Sequence, residues 1–169
     1  MHNNNGDFMY YINYFFLFAL LGHLVESLIY ANRASGVLLL WWTPVYGIGT
    51  VVILFINKFL DKFKINKWLR IILLFLMSAV SLCFIEALGG YLIKWIFDQE
   101  LWNYTVHRFN IGRYTSLEMA LFWGTSSIIF SYFIKPITEK IISKIPKYLT
   151  YILIIIFIID IILSLIKKK

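Results

Sequence analysis

Charge is what this chain lacks most for its length. Asp, Glu, Lys and Arg make up 15% of 169 residues, against 60% hydrophobic and 19% aromatic. A soluble domain carries about 25% charged residues, and here the apolar residues fall in runs too long for a water-facing surface. A soluble domain is thereby excluded. The chain reads as an integral membrane protein with room for one compact unit of about four to six helices and for no separate large soluble domain. Cysteine is nearly absent too: Cys83 stands alone in an apolar run, which excludes an internal disulfide and any Cys cluster for a metal or iron–sulfur site and leaves a small packing residue. The histidines are His2, His23 and His107. Only His23 falls within an apolar run, so metal spacing and a histidine pair from different spans for haem are both missing, and no metal or cofactor is expected. With no phosphate-binding Gly-Lys loop, the chain cannot hydrolyse ATP by itself.

The charge that is present is unbalanced, 16 Lys and Arg against 9 Asp and Glu, or +7. The basic residues sit between apolar runs, as topological charge facing anionic lipid headgroups does. The expected partner is the lipid bilayer, and no motif supports nucleic acid. Residues 1–7, with Asn3, Asn4, Asn5 and Asp7, lack the basic region of a signal peptide, so the apolar stretch after them reads as a retained first helix.

A crossing helix needs about 20 apolar residues. Residues 8–31 supply a first span, followed by a connector at 32–36 that carries Arg33. Residues 37–57 are apolar enough to cross but are interrupted by Thr43-Pro44, Gly47 and Gly49. Proline removes a backbone donor, so 37–42 reads as an interfacial or re-entrant piece leading into a helix from Pro44, covered by protein or a wet cavity. Residues 58–67 are basic and aqueous. Residues 68–97 form a third span, 98–116 a polar loop rich in aromatics, and 117–134 a fourth span that Pro136 helps to end. Residues 135–147 read as a short surface helix. Residues 148–166 form a last span interrupted by Asp160, which could relay protons or reach water, and Lys167–Lys169 follow. The expected fold is all-α: a polytopic membrane helix bundle of about five transmembrane helices, with a broken or re-entrant segment before the second, in a single membrane domain over 1–169.

Orientation follows the basic residues. The connectors at 58–67 and 135–147, with the start of the third span, hold Lys58, Lys62, Lys64, Lys67, Arg70, Lys135, Lys140, Lys144 and Lys147. The other side holds Arg33, Lys94, Arg108 and Arg113. The first group is expected to be cytoplasmic, although five full spans would place the terminal lysines outside; either that tail is a tolerated exception or the last segment does not fully cross.

Ionisable residues within spans are costly and face a bundle interior or a wet cavity, which singles out Glu26 and Glu86. His23, Glu26, Ser27 and Tyr30 recur at helical spacing on one face of the first span. Glu86 lies in the second half of the third span, with Ser78 and Leu82 on the same stripe and Gly89 and Gly90 a turn later. Alternating spans put both glutamates toward one membrane face, together with the Pro44–Gly47 break, the 98–116 loop and Glu118. Arg113 is the natural bidentate counter-ion, and Gly47, Gly49, Gly89, Gly90 and Gly112 allow close backbone approach. The same residues could instead form a purely structural ion-pair network. The loop could be an interfacial aromatic anchor or a lid in which Gly112 makes the turn and Arg113 reaches inward.

These residues carry a resemblance. Leu21-Gly22-His23-Leu24-Val25-Glu26, then Thr43-Pro44-Val45-Tyr46-Gly47, Glu86, Trp102-Asn103-Tyr104, Phe109-Asn110-Ile111-Gly112-Arg113 and Phe122-Trp123-Gly124 together resemble the ABC-transporter type IV family, small bacterial membrane proteins also labelled CmpB-like ABC transporter permeases. The resemblance covers about residues 14–145 and leaves 148–166 as an additional C-terminal helix. It implies a multi-pass protein of a bacterial inner membrane associated with transport, working with a separate ATPase subunit if it uses ATP. It also implies shared positions at Glu26, Pro44, Tyr46, Gly47, Glu86, Trp102, Tyr104, Phe109, Asn110, Gly112 and Arg113. His23 stands where the family usually has Trp, and Asn103 where an acidic residue is common. The expected site therefore comprises Glu26, Glu86, Arg113, His23, Tyr46, Trp102, Tyr104 and Asn110 for binding, with Pro44, Gly47 and Gly112 shaping it. Two other functions fit the same residues: a membrane-embedded enzyme or binding protein for a lipid or envelope precursor, with Arg113 on an anionic headgroup, and a non-catalytic scaffold subunit.

Overall fold

The structure, a computed structural model, describes residues 4–29 and 36–167. His2, Asn3, Tyr30, Arg33, Lys168 and Lys169 lie outside the described residues. Among those described, the elements are α1 (Asn4–Ile29), α2 (Pro44–Leu60), α3 (Lys67–Phe97), α4 (Leu117–Ile129), a π-helical segment (Phe130–Ile134), α5 (Lys135–Ile142) and α6 (Lys147–Lys167). The α4, π and α5 elements run on as one rod, and four helices are long and apolar enough to cross a membrane: Phe8–Ile29, Lys67–Phe97, Leu117–Ile142 and Lys147–Lys167. The chain is an all-helical, multi-pass membrane protein.

Two boundaries differ from the sequence expectation. The second apolar stretch yields a helix of only 17 residues, about 25 Å at 1.5 Å per residue, because 36–41 is bent backbone and α2 starts at Pro44, whose missing N–H costs nothing at a first helical position. The fourth span does not end at Pro136, nor is 135–147 a separate surface helix. The helix continues to Ile142 through the π segment, where the Lys135 N–H bonds to the Phe130 carbonyl five residues back. Proline ordinarily breaks a helix because it lacks the N–H and its ring strikes the carbonyl four residues earlier. A wider π turn placed directly before Pro136 takes up that misfit and lets the rod continue.

The chain divides into two compact units. The first contains the described residues up to Thr50 and those from Glu139 onward. Its core packs Phe16 and Ala19 of α1 against Trp42, with Phe157 of α6 alongside; the Phe157 ring lies edge-on to Trp42 at 5.9 Å and to Phe16 at 5.7 Å. Close approach of α1 and the start of α2 is reciprocal. A Cβ on Gly22 would run into the Tyr46 ring, and one on Gly47 into the backbone and ring of Phe15, the small-residue contact that lets helices pack tightly in lipid. The buried pair Thr150 and Asn13 joins α6 to α1, the Thr150 hydroxyl donating to Asn13 Oδ1 at 2.7 Å.

The second unit runs from Val51 to Thr138. Leu74, Ser78, Leu82, Glu86 and Gly90 form a buried stripe at four-residue spacing along α3, the ridge that seats a neighbouring helix. Opposite positions, including Val80, Phe84 and Trp95, are exposed. A Cβ on Gly124 of α4 would meet the Phe75 ring, so α3 and α4 touch at a glycine. Asn66 caps α3 by accepting the Leu69 N–H at 2.8 Å, and Asp98 closes it in the left-handed region at φ 53°. At the other end of the unit, Arg70 pairs with Asp61 at 2.7 Å and donates to Asn57 Oδ1 at 3.1 Å, and Asn57 in turn donates to Ser131 at 2.7 Å.

A Cβ branch at Gly90 has no room, since the Tyr114 ring already lies where it would go. Gly90→Val is expected to cost about 1–3 kcal/mol through overpacking, and Asn66→Ala about 1 kcal/mol through the lost cap. Both are read as thermal stability of the purified protein in detergent, with Val80→Ala on the exposed side as a near-neutral control.

Candidate functional site

Glu86 is the centre of the second unit. It lies eight residues before Lys94 on α3, about 12 Å along the helix axis from the level marked by Lys94 and the exposed Trp95, and its side chain is buried. Three uncharged groups bond its carboxylate. Tyr104 OH donates to Oε1 at 3.0 Å, while Thr115 Oγ1 and Trp123 Nε1 each donate to Oε2 at 3.3 Å. A carboxyl at this depth is tolerated only when its oxygens are bonded from within the protein. Here a loop residue, a residue just before α4 and a residue two turns into α4 share that task.

The loop reaches Glu86 because it folds back on itself. Its backbone is tied by Tyr104 N to Arg113 O at 2.8 Å, Ile111 N to Thr115 O at 2.9 Å and Leu117 N to Phe109 O at 2.9 Å. Gly112 turns the chain at φ +75°, where a side chain is strained. Tyr114 is buried against Gly90, its ring edge-on to Tyr91 at 4.8 Å. Trp102 donates from Nε1 to the Tyr114 carbonyl at 3.3 Å, and Asn110 holds the Gly112 carbonyl at 3.2 Å. Ser116 begins α4 by accepting the Met119 N–H at 3.3 Å.

Arg113 does not serve Glu86. Its guanidinium, half exposed, pairs with Glu100 at 3.0 Å, and Glu100 also accepts from Tyr114 OH at 3.4 Å. The expected inward arginine is therefore an outward brace of the loop, and the groups that turn inward are Tyr104 and Thr115. The remaining expected residues belong to the first unit. Glu26 lies near the end of α1 and makes no hydrogen bond or ion pair among the described residues. His23 lines a surface depression of about 290 Å³ with Leu20, Leu24, Ser27 and Trp41. Tyr46 and Gly47 form the α1 contact described above, and Pro44 opens α2.

Sequence reasoning did not assign Thr115 and Trp123 to the site. Trp123 figured only in the Phe122-Trp123-Gly124 motif of the resemblance, and its partner across 37 positions becomes visible only once α3 and α4 are paired. The glycine beside it, Gly124, was the available signal, because a close helix approach there brings Trp123 to the α3 stripe.

The chain matches the family described as Putative ABC-transporter type IV over residues 13–166. It belongs to that family. The match takes in α6, which the motif-based resemblance had left outside. No curated protein and no solved structure matches the chain. Family membership and the apolar helices together make this a transport-associated type of multi-pass membrane protein.

Replacing Glu86 by Leu strands three buried donors, each costing about 1–3 kcal/mol when unpaired, so Glu86→Leu is expected to lower stability by about 3 kcal/mol or abolish folded yield. Glu86→Gln fits within about 1 kcal/mol, because its carbonyl can take Thr115 and Trp123 while its amide donates to a rotated Tyr104 hydroxyl. Thermal melts of both variants beside Trp123→Phe check this ordering.

Proposed function

We propose that this protein is a permease-like, transport-associated component of a bacterial inner membrane, and that its polar centre is Glu86, near the extracytoplasmic face. The observation that carries the reading is a carboxyl within a membrane-spanning helix, held by neutral donors and roofed by an ordered loop. Such a group is expensive to keep inside a membrane, and intramembrane acids commonly mark substrate or ion pathways. The bias of Lys and Arg toward the 58–67 and 135–147 segments supports placing the loop on the extracytoplasmic side. A chain without a phosphate-binding loop needs a separate ATPase subunit to draw on ATP. A second reading, a scaffold in which Glu86 only fixes packing, is favoured by the bonding of both its oxygens from within the protein.

Two measurements test this. Asn103→Cys in a Cys83→Ala background is expected to react with a membrane-impermeant maleimide from outside intact cells; protection outside with labelling from the cytoplasmic side overturns the orientation. Glu86→Gln, Glu26→Gln and Arg113→Ala, purified from bacterial membranes in mild detergent, are compared for folded yield and for ATPase activity that co-purifies with the chain. Transport coupling predicts parental folding of Glu86→Gln with a severalfold fall in associated ATPase activity. Unchanged activity in a folded Glu86→Gln protein supports the scaffold, and a phospholipid retained through Arg113 with no ATPase supports the lipid-binding alternative.

A further inference from the structure

Asp160 is the other buried acid within a described span, and it lies in the first unit, apart from the residues assigned to the Glu86 centre. It sits on α6 and is almost wholly buried. Its bonds go to backbone. Leu39 N donates to Oδ1 at 3.0 Å, and Leu40 N donates to Oδ1 and Oδ2, both at 3.3 Å. Ser164, one turn on, accepts from Leu39 N at 3.2 Å. These two amides belong to the bent strap that precedes α2, which has no helical ladder to satisfy it. In a membrane such backbone must find its partners inside the protein, and one carboxylate with one hydroxyl supplies them.

Beyond these bonds it is the middle of the strap that is lightly held: Leu39, Leu40 and Trp41 are exposed, whereas Leu38 and Trp42 on either side pack against the Phe16–Ala19 core. The strap backbone is fixed at the far end by Thr43 N bonding the Ala19 carbonyl of α1 at 3.0 Å. At its start Gly36 adopts φ +121°, a conformation that glycine takes freely and other residues do not. Among the described residues, Trp42 Nε1 and Thr43 Oγ1 are buried without a hydrogen-bond partner, so the docked end of the strap is held by packing and by the Thr43 backbone rather than by these side-chain groups. Trp41, largely exposed, forms a wall of the depression that contains His23 and Ser27.

We propose that Asp160 is a positioning residue that latches the re-entrant strap, and that the strap is a displaceable gate over the His23 depression whose closed position this clamp defines. A carboxyl side chain suits the task because its two oxygens can accept from consecutive amides. Release would free the Leu39 and Leu40 amides and let Trp41 swing from the α1 face while Thr43-Pro44 stays docked.

Hydrogen exchange of the full-length protein in phospholipid nanodiscs, read by mass spectrometry on peptides covering 37–43, tests the latch and the gate separately. In the parental protein the strap is expected to exchange faster than the buried stripe of α3, as a segment that opens must. Exchange as slow as α3 overturns the gate. Asp160→Ala is expected to raise strap exchange at least tenfold and leave α3 peptides unchanged. Asp160→Asn, whose amide group turns a donor toward the Leu40 N–H, is expected to raise it about threefold, and it decides the matter if the Ala variant does not fold. Parental exchange rates in a folded variant overturn the latch.

Discussion

A polar group inside a bilayer has no water to turn to, and much of this structure follows from that constraint. It explains why Glu86 draws donors from two later segments and why a loop that could have floated in solvent is folded down onto α3. It also explains why the bent backbone before α2 runs beside an aspartate. The two acids answer the same problem in opposite directions. Glu86 is a side chain that the rest of its unit must satisfy, whereas Asp160 is a side chain that satisfies the backbone.

The donors around Glu86 are chemically adaptable. Tyrosine and threonine hydroxyls can donate or accept by rotation, while the Trp123 indole can only donate. One oxygen of the carboxyl therefore faces a fixed donor and a reversible one, and the other faces a reversible one alone. A cation in the same place would have held the carboxylate in a single arrangement. By pairing Arg113 with Glu100 at the rim, the protein keeps that strong charge outside and leaves the interior with groups that can be rearranged.

Much of this was legible in the sequence. Four of the five expected spans follow from runs of about 20 apolar residues, the break before α2 from Thr43-Pro44, and the burial of Glu86 from the cost of a carboxyl at that depth. The turn at Gly112 was one of two readings of the loop, and Tyr104 entered the expected site only through the family resemblance. What could not be read were partnerships across long separations. Nothing local distinguishes Arg113 bonding Glu86 from Arg113 bonding Glu100, since both are carboxylates and only the folded loop decides which is in reach. Asp160 looked like a relay or a surface group because its partners are main-chain amides, which every residue but proline possesses. Pro136 pointed to a helix end by the ordinary rule, and the π turn that cancels the rule has no sequence mark.

That π turn has a mechanical effect. A turn with one more residue than an α-helix offsets every later side chain by about 100° around the axis relative to an unbroken helix. The rod from Leu117 to Ile142 thus carries two differently phased faces in one continuous backbone. Before the offset it presents Gly124 to Phe75 and Trp123 to Glu86; beyond it, Glu139 accepts from Tyr10 at 3.2 Å. A single backbone in this way changes the phase of its side chains part-way along, and it does so without a loop that would expose backbone to lipid.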